Sequence, residues 1–192
     1  MKLYIATSAK HKSELFTLAK LKHEMIKGDF EEYEDSKDPY TYVKMLSLGK
    51  AYSTINLIQE GVIVGLDTVV LINNKICEKP KSKVEARQKL KDSAKNISKV
   101  ITGITLIDKY QNRVINAYSE SLVTLKSISE EELDFYISNE PNVLNAAGYI
   151  IETVAACFIE KIEGSYYNII GSPVETVYLC LKKLGYSFND LE

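Results

Sequence analysis

The spacing of hydrophobic positions changes several times along the chain, and each change predicts an element. Leu3-Tyr4-Ile5-Ala6 is a short apolar run that reads as a buried first strand. Between Lys10 and Lys22 the apolar set Leu15, Phe16, Leu18, Ala19 and Leu21 fits a helical face. After Pro39 a second helix is expected, with Val43, Leu46 and Ala51 near one face and Ile55 further on. Val62–Ile72 is the most apolar stretch and predicts a buried strand. Asn73-Asn74 predicts a hairpin turn into Lys75-Ile76-Cys77. A helix is expected after Pro80, carrying Val84, Ala86 and Leu90. Lys99 to Asp108 and Arg113 to Leu125 read as long strands joined near Gln111-Asn112.

Towards the C-terminus, Ser129-Glu130-Glu131-Glu132 matches a capping box opening a helix that carries Leu133 and Tyr136. Thr153 to Ile162 predicts another strand. Ser172-Pro173-Val174-Glu175 predicts the start of the last helix, with proline at its first position, and Gly185 its left-handed end. Strands and helices alternate early and a β-rich middle follows, which predicts an α/β or α+β fold with a mixed sheet.

Composition narrows the function classes. The chain has 192 residues, which suits one domain or two small lobes. With 45% hydrophobic and 26% charged residues it is not a disordered chain. Its 24 basic and 26 acidic residues leave a net charge of −2, so no global polycation grips a nucleic acid. Cys77, Cys157 and Cys180 form no CxxC pair, which excludes a disulfide framework and a zinc ribbon; their apolar neighbours predict buried, reduced core thiols. No signal-type or membrane-length apolar segment is visible, so a cytoplasmic location is the expectation.

Asp67 is the sharpest chemical feature. Every other side chain of Val62–Ile72 except Thr68 is apolar or glycine, and a charge there is costly unless paired, metal-bound or open to a cleft. It reads either as a cap on local backbone N–H groups or as a metal ligand or general base. Lys79 precedes Pro80, which fixes the backbone beside it. Lys50 sits in a mostly apolar helix, and Lys10, His11 and Lys12 follow the first strand where a helix starts, a place that suits phosphate. His11 and His23 have no partner at ligand spacing and are expected in solvent. Gly164-Ser165-Tyr166-Tyr167-Asn168-Ile169-Ile170-Gly171-Ser172-Pro173 has the small residues that let backbone approach a ligand. An acidic site with several lysines suits metal-assisted phosphate chemistry.

Gly65-Leu66-Asp67-Thr68-Val69-Val70 followed by Glu78-Lys79-Pro80 resembles the Maf family of nucleoside triphosphate pyrophosphatases, whose pattern runs A-D-T-[VI]-V and then [GE]-K-P. Glu85-Ala86 and Thr102-Gly103 occupy the later positions of that pattern. Leu48-Gly49-Lys50-Ala51 resembles its K-A helix motif, and Gly164 to Pro173 its closing G-S-x-x-N-V-V-G-L-P. The ordered resemblance runs from residue 2 to about residue 184. Where the family has S-x-S-P-R-R, this chain has Thr7-Ser8-Ala9-Lys10-His11-Lys12, so a point charge replaces an arginine fork and loosens phosphate geometry. The family's K-A-G-x-Y becomes Asn145-Ala146-Ala147-Gly148-Tyr149, and its L-S-G-x-x-H loses both glycine and histidine.

The resemblance implies an α/β fold: a mixed twisted sheet flanked by helices, with two lobes around a central cleft in one domain over residues 1–192, often as a homodimer. It implies hydrolysis between the α- and β-phosphates of a nucleoside triphosphate, with Mg²⁺ or Mn²⁺ bridging the phosphates and helping to generate hydroxide. Asp67 is then general base or metal ligand. A residue of the acidic loop is the second carboxylate and metal ligand; counting without gaps makes it Glu32, with Glu31, Glu34 and Asp35 as competitors. Lys12, Lys50 and Lys79 bind phosphates and Thr68 binds substrate. Glu152 falls where many members have Gln; a carboxylate accepts the two adjacent donors of guanine, so a purine, such as a modified guanine nucleotide, is expected over uracil or thymine. Glu152 paired with a neighbouring lysine is the plain alternative. Two other identities fit less of the chain: an inosine/xanthosine triphosphate pyrophosphatase, and a nucleotide-binding cell-division regulator without turnover. No nucleic-acid polymer and no membrane partner is expected.

Overall fold

In a computed structural model describing residues 1–31 and 38–191, the elements follow the apolar periods closely. They are β1 (Leu3–Ala6), α1 (Lys10–Leu18), β2 (Glu24–Ile26), α2 (Pro39–Tyr52), β3 (Val62–Ile72), β4 (Lys75–Ile76), α3 (Lys83–Ser93), β5 (Ser98–Asp108), β6 (Arg113–Leu125), α4 (Glu130–Asn139), β7 (Ile159–Glu163), α5 (Tyr166–Ile169) and α6 (Val174–Lys183). Short 3₁₀ turns stand at Ile55–Leu57, Val154–Phe158 and Phe188–Asp190. The seven strands form one sheet of order β2-β1-β3-β5-β6-β7, with β4 on β3. The sheet is mixed, as expected: β1 runs parallel to β2 and β3, whereas β4 is antiparallel to β3 and β7 to β6.

The chain divides into two compact units. The first comprises Met1–Thr68, Ile101–Ser119 and Tyr167–Glu192. Its central strands β1, β3 and β5 are buried on both faces, which is why they read as continuous apolar runs. Leu3, Ile5, Val62, Val64 and Leu66 pack with Phe16, Ile104, Leu106, Val177 and Leu181, while Tyr4, Ala6 and Ile63 face the other way, onto Ala51, Ile58 and Ile107.

Helix α2 enters through Asp38, whose carboxylate accepts from Thr41 N at 2.9 Å. It then lies unusually close to the sheet. A Cβ on Gly65 would stand 2.1 Å from the carbonyl oxygen of Ser47, and one on Gly103 2.0 Å from that of Val43. Val43, Ser47 and Ala51 are four apart and share this face. The Ser47 hydroxyl meets Thr105 Oγ1 at 2.9 Å.

The second unit comprises Val69–Val100 and Glu120–Tyr166. Asn73 and Asn74 both take positive φ, 53° and 59°, as a tight hairpin demands. The capping box of α4 forms as predicted: Glu132 N donates to Ser129 Oγ at 3.2 Å and Ser129 N to Glu132 Oε2 at 2.8 Å. Arg87 and Lys91 of α3 reach Glu130 of α4, and Arg87 also reaches Asp134. Hydrogen bonds from Lys91 and then Arg87 hold the Glu130 carboxyl down to about 2.

Several expectations change. Thr153 to Ile162 is not one strand: Val154–Phe158 is a 3₁₀ turn and β7 starts only at Ile159. Its buried residues, Ala155 and Phe158, are three apart, a turn spacing rather than a strand alternation. Helix α1 stops at Leu18 because Lys20 turns left-handed at φ 58° and Leu21 N bonds back to Phe16 O at 3.0 Å. The short β2 and the single-turn α5 are additions. Helix α6 begins at Val174 with Pro173 as its cap, one position off the expectation, and Gly185 closes it at φ 95° as predicted. Only Cys180 is buried; Cys77 is half-buried and Cys157 exposed on its turn, and all three are free thiols. Apolar neighbours in sequence do not bury Cys157, because on a 3₁₀ turn adjacent residues face different ways. His11 is exposed as expected. His23 is half-buried, with one ring nitrogen 2.6 Å from Ser13 Oγ and the other 2.7 Å from Leu21 O. No helix among the described residues is long and apolar enough to cross a membrane.

Candidate active site

Strand alternation carries Asp67 to the same face as Ile63 and Gly65, the face on which α2 lies. Asp67 is 7% exposed, and its Oδ1 accepts a charge-assisted hydrogen bond from Lys50 Nζ. A carboxylate so dry needs such a partner. Gly65 and Ala51 allow the pairing: without side-chain bulk at either, α2 sits low enough for Lys50, one residue before Ala51, to reach Asp67 two residues beyond Gly65.

Thr68 follows on the opposite face of β3 and belongs to a second set of groups. Its Oγ1 stands 3.0 Å from Oγ1 of Thr102 on β5, a fully buried residue. Above Thr68 lies Gly171, at φ 82°; a Cβ there would come 2.9 Å from Thr68 Oγ1 and 3.6 Å from Lys12 Cε. Glycine is required by both the left-handed backbone and the approach. Lys12, in the first turn of α1, extends Nζ to 3.5 Å from the carbonyl oxygen of Leu66, and Ser172 Oγ lies at the same distance from Lys12 O. The first strand's helix, the middle strand and the closing Gly-Ser-Pro loop therefore meet at one point on β3.

Glu32, with its competitors Glu34 and Asp35, lies outside the described residues, and Glu31 is exposed at their edge. Lys79 and Glu152 belong to the second unit and are both exposed. The backbone around Lys79 is held on both sides: Lys89 Nζ donates to Glu78 O, and Pro80 is buried. Near Glu152, Ile150 N donates to Tyr136 Oη at 2.9 Å, and burial pushes the Tyr136 phenol up to about 12.

The described residues contain no group of three His, Cys, Asp or Glu that would cage a metal ion. The Asp67 carboxylate fits an ion that the protein holds only in part: it is a hard oxygen donor, and Mg²⁺ takes one or two carboxylates while substrate phosphates and water complete its shell.

Sequence reasoning assigned no role to Thr102, Gly65 or Gly103. A threonine inside the apolar stretch Val100–Leu106 carries the same signal as Asp67 in Val62–Ile72, a polar group that a buried strand must satisfy.

The pattern of the Maf-like protein family matches residues 2–184. A protein of Thermoanaerobacter sp. (strain X514) named dTTP/UTP pyrophosphatase is 34% identical over 184 residues, covering 95% of this chain and 96% of its own. One of the same name from Carboxydothermus hydrogenoformans is 33% identical over 186 residues, covering 97% of this chain and 100% of its own. The Staphylococcus aureus Ham1 protein has a similar fold, with a TM-score of 0.52 at 9% identity, over 96% of this chain and 100% of that one. The full-length match to the family pattern, and relatives that span nearly the whole chain, place it: the chain belongs to the Maf family of nucleoside triphosphate pyrophosphatases.

Proposed function

We propose that the chain hydrolyses the bond between the α- and β-phosphates of a nucleoside triphosphate, releasing a monophosphate and pyrophosphate, with Asp67 at the reacting centre. The observation that carries this reading is the pairing of the buried Asp67 on β3 with Lys50 on α2, next in sequence to Thr68, which meets Gly171 and Lys12 on the other face of the strand. Asp67 takes the proton of the attacking water. Lys50 holds the carboxylate in place and binds phosphate beside it. Lys12 and the Thr68 hydroxyl donate to phosphate oxygens, and the bare backbone of Gly171 leaves the room for them. Charge builds on the departing pyrophosphate, and cations fixed in advance stabilise it. Bound Mg²⁺ or Mn²⁺ supplies further neutralisation of the phosphates and acidifies water; Asp67 would hold it, with Glu32 as the second carboxylate. For Lys79 as a phosphate ligand and for Glu152 as a reader of the base, the support is the family pattern.

The same reading takes the 192 residues as one catalytic domain and includes a homodimer, for which the resemblance is the only support. A reducing, cytoplasmic setting is supported by three free thiols.

For the base, the relatives named dTTP/UTP pyrophosphatase favour thymidine or uridine triphosphate. One observation favours a second reading: the carboxylate of Glu152 suits the paired donors of guanine. A panel of dTTP, UTP, CTP, ATP, GTP, ITP and 7-methylguanosine triphosphate decides between them. Pyrophosphate is converted by inorganic pyrophosphatase and detected with malachite green, with Mg²⁺, with Mn²⁺ and after chelation. Release that stops on chelation and returns with metal is the expected result. Binding without release under every condition would leave a nucleotide-binding regulator instead, and a preference for ITP would point to a purine house-cleaning enzyme. Glu152→Gln is expected to raise the kcat/KM ratio of UTP to GTP about tenfold, the value of one exchanged hydrogen bond. An unchanged ratio removes Glu152 from base selection.

A further inference from the structure

The hydroxyl of Thr102 has one proton to give and two oxygen neighbours to receive it. Thr68 Oγ1 is 3.0 Å away and the carbonyl oxygen of Asn168 3.4 Å away. The shorter contact is within the usual range for O–H···O and the longer one beyond it. A carbonyl oxygen can take two donors, but the Asn168 carbonyl already accepts from Gly171 N–H at 2.9 Å and so is satisfied without Thr102. The Thr102 proton therefore belongs on the bond to Thr68. Thr68 Oγ1 then has an acceptor lone pair filled by Thr102, and its own proton is left for a partner on the side where Gly171 and Lys12 approach it.

The reverse arrangement would change the chemistry of that spot. If Thr102 gave its proton to Asn168, Thr68 would spend its proton on Thr102 and show only lone pairs outward. Lone pairs repel a phosphate oxygen, whereas a hydroxyl proton binds it. Thr102 is fully buried and cannot touch a ligand itself.

We propose that Thr102 is a positioning residue that sets the direction of the Thr68 hydroxyl, so that Thr68 donates a hydrogen bond to a substrate phosphate. The inference rests on the reading of Thr68 as a phosphate ligand. It also gives the Thr102-Gly103 pair two separate tasks: Thr102 orients a donor, and Gly103 lets α2 approach.

The test uses Thr102→Val, which keeps the shape and removes the hydroxyl, beside Thr102→Ser, which keeps the hydroxyl. Activity is measured on whichever of dTTP, UTP or GTP the wild-type enzyme cleaves fastest. Thr102→Val is expected to lower kcat/KM about tenfold, with Thr102→Ser within twofold of wild type. On a Thr68→Val background, Thr102→Val is expected to have no further effect, since its only route is through Thr68. Should Thr102→Val fail to fold, Thr102→Cys replaces a strong donor by a weak one and carries the same expectation. Thr102→Val within twofold of wild type, or a full additional loss on the Thr68→Val background, overturns the proposal while the parent activity stands. No pyrophosphate release by the wild-type protein from any triphosphate overturns both.

Discussion

Asp67→Asn is expected to stop pyrophosphate release while leaving the molecule folded. Asparagine has nearly the same shape, and its side-chain oxygen can still accept from Lys50, so the packing of α2 on β3 is preserved. What disappears is the negative charge. A neutral amide cannot take a proton from water, and it is a poor ligand for a divalent ion. Loss of a general base costs about 10²–10⁴-fold, and loss of a metal ligand at the same atom adds to it. The coupled pyrophosphatase assay should therefore show a fall of at least about 10²-fold in kcat, with an unchanged circular dichroism spectrum. Release above a tenth of the wild-type rate would mean that Asp67 only ties α2 to the sheet. Lys50→Met is the companion change, because it keeps the length of the side chain and removes the charge beside Asp67. If the pair were purely structural, Lys50→Met would lose stability and both variants would keep turnover.

The second large effect is on stability, from Gly103→Ala. The added Cβ would sit 2.0 Å from the Val43 carbonyl oxygen and 2.3 Å from its carbonyl carbon. These atoms are helix backbone, so no rotamer change relieves the clash; α2 itself has to move. Overpacking usually costs about 1–3 kcal/mol, and a contact this short against backbone belongs at the top of that range. In a chain of this size about 3 kcal/mol corresponds to about 6–12 °C in Tm. Displacing α2 also withdraws Lys50 from Asp67, so activity should fall with stability. Thermal unfolding followed by circular dichroism checks this, and a Tm within 2 °C of wild type would contradict the close approach. Gly65→Ala, at 2.1 Å from the Ser47 carbonyl oxygen, should behave alike.

Much of the molecule was legible because its information is local. Val62–Ile72 is a strand because eleven residues without a helical period can be buried on both faces only in a sheet. Asn73-Asn74 turns because asparagine tolerates positive φ, and Ser129 caps because its hydroxyl reaches an N–H three residues on. Asp67 stood out for the same kind of reason: a carboxylate in an apolar run needs an explanation before any fold is known. The failures were also local. The stretch from Thr153 is apolar enough for a strand, but its buried residues follow a period of three, and only burial reveals that period. Cys157, expected in the core, is exposed on the same turn.

The sequence by itself determined which segments are strands and helices, which carboxylate is out of place, and the family pattern. The tertiary structure alone decided who meets whom. Lys50 and Asp67 are 17 residues apart, and Thr68 and Thr102 are 34 apart. These pairs depend on how low α2 sits over Gly65 and Gly103 and on which strands lie side by side. Gly171 meets Thr68 because a left-handed residue turns the closing loop back over β3. Periodicity shows how each segment divides its faces; the partner on each face is set by packing distances and strand order, which no stretch of neighbouring residues encodes.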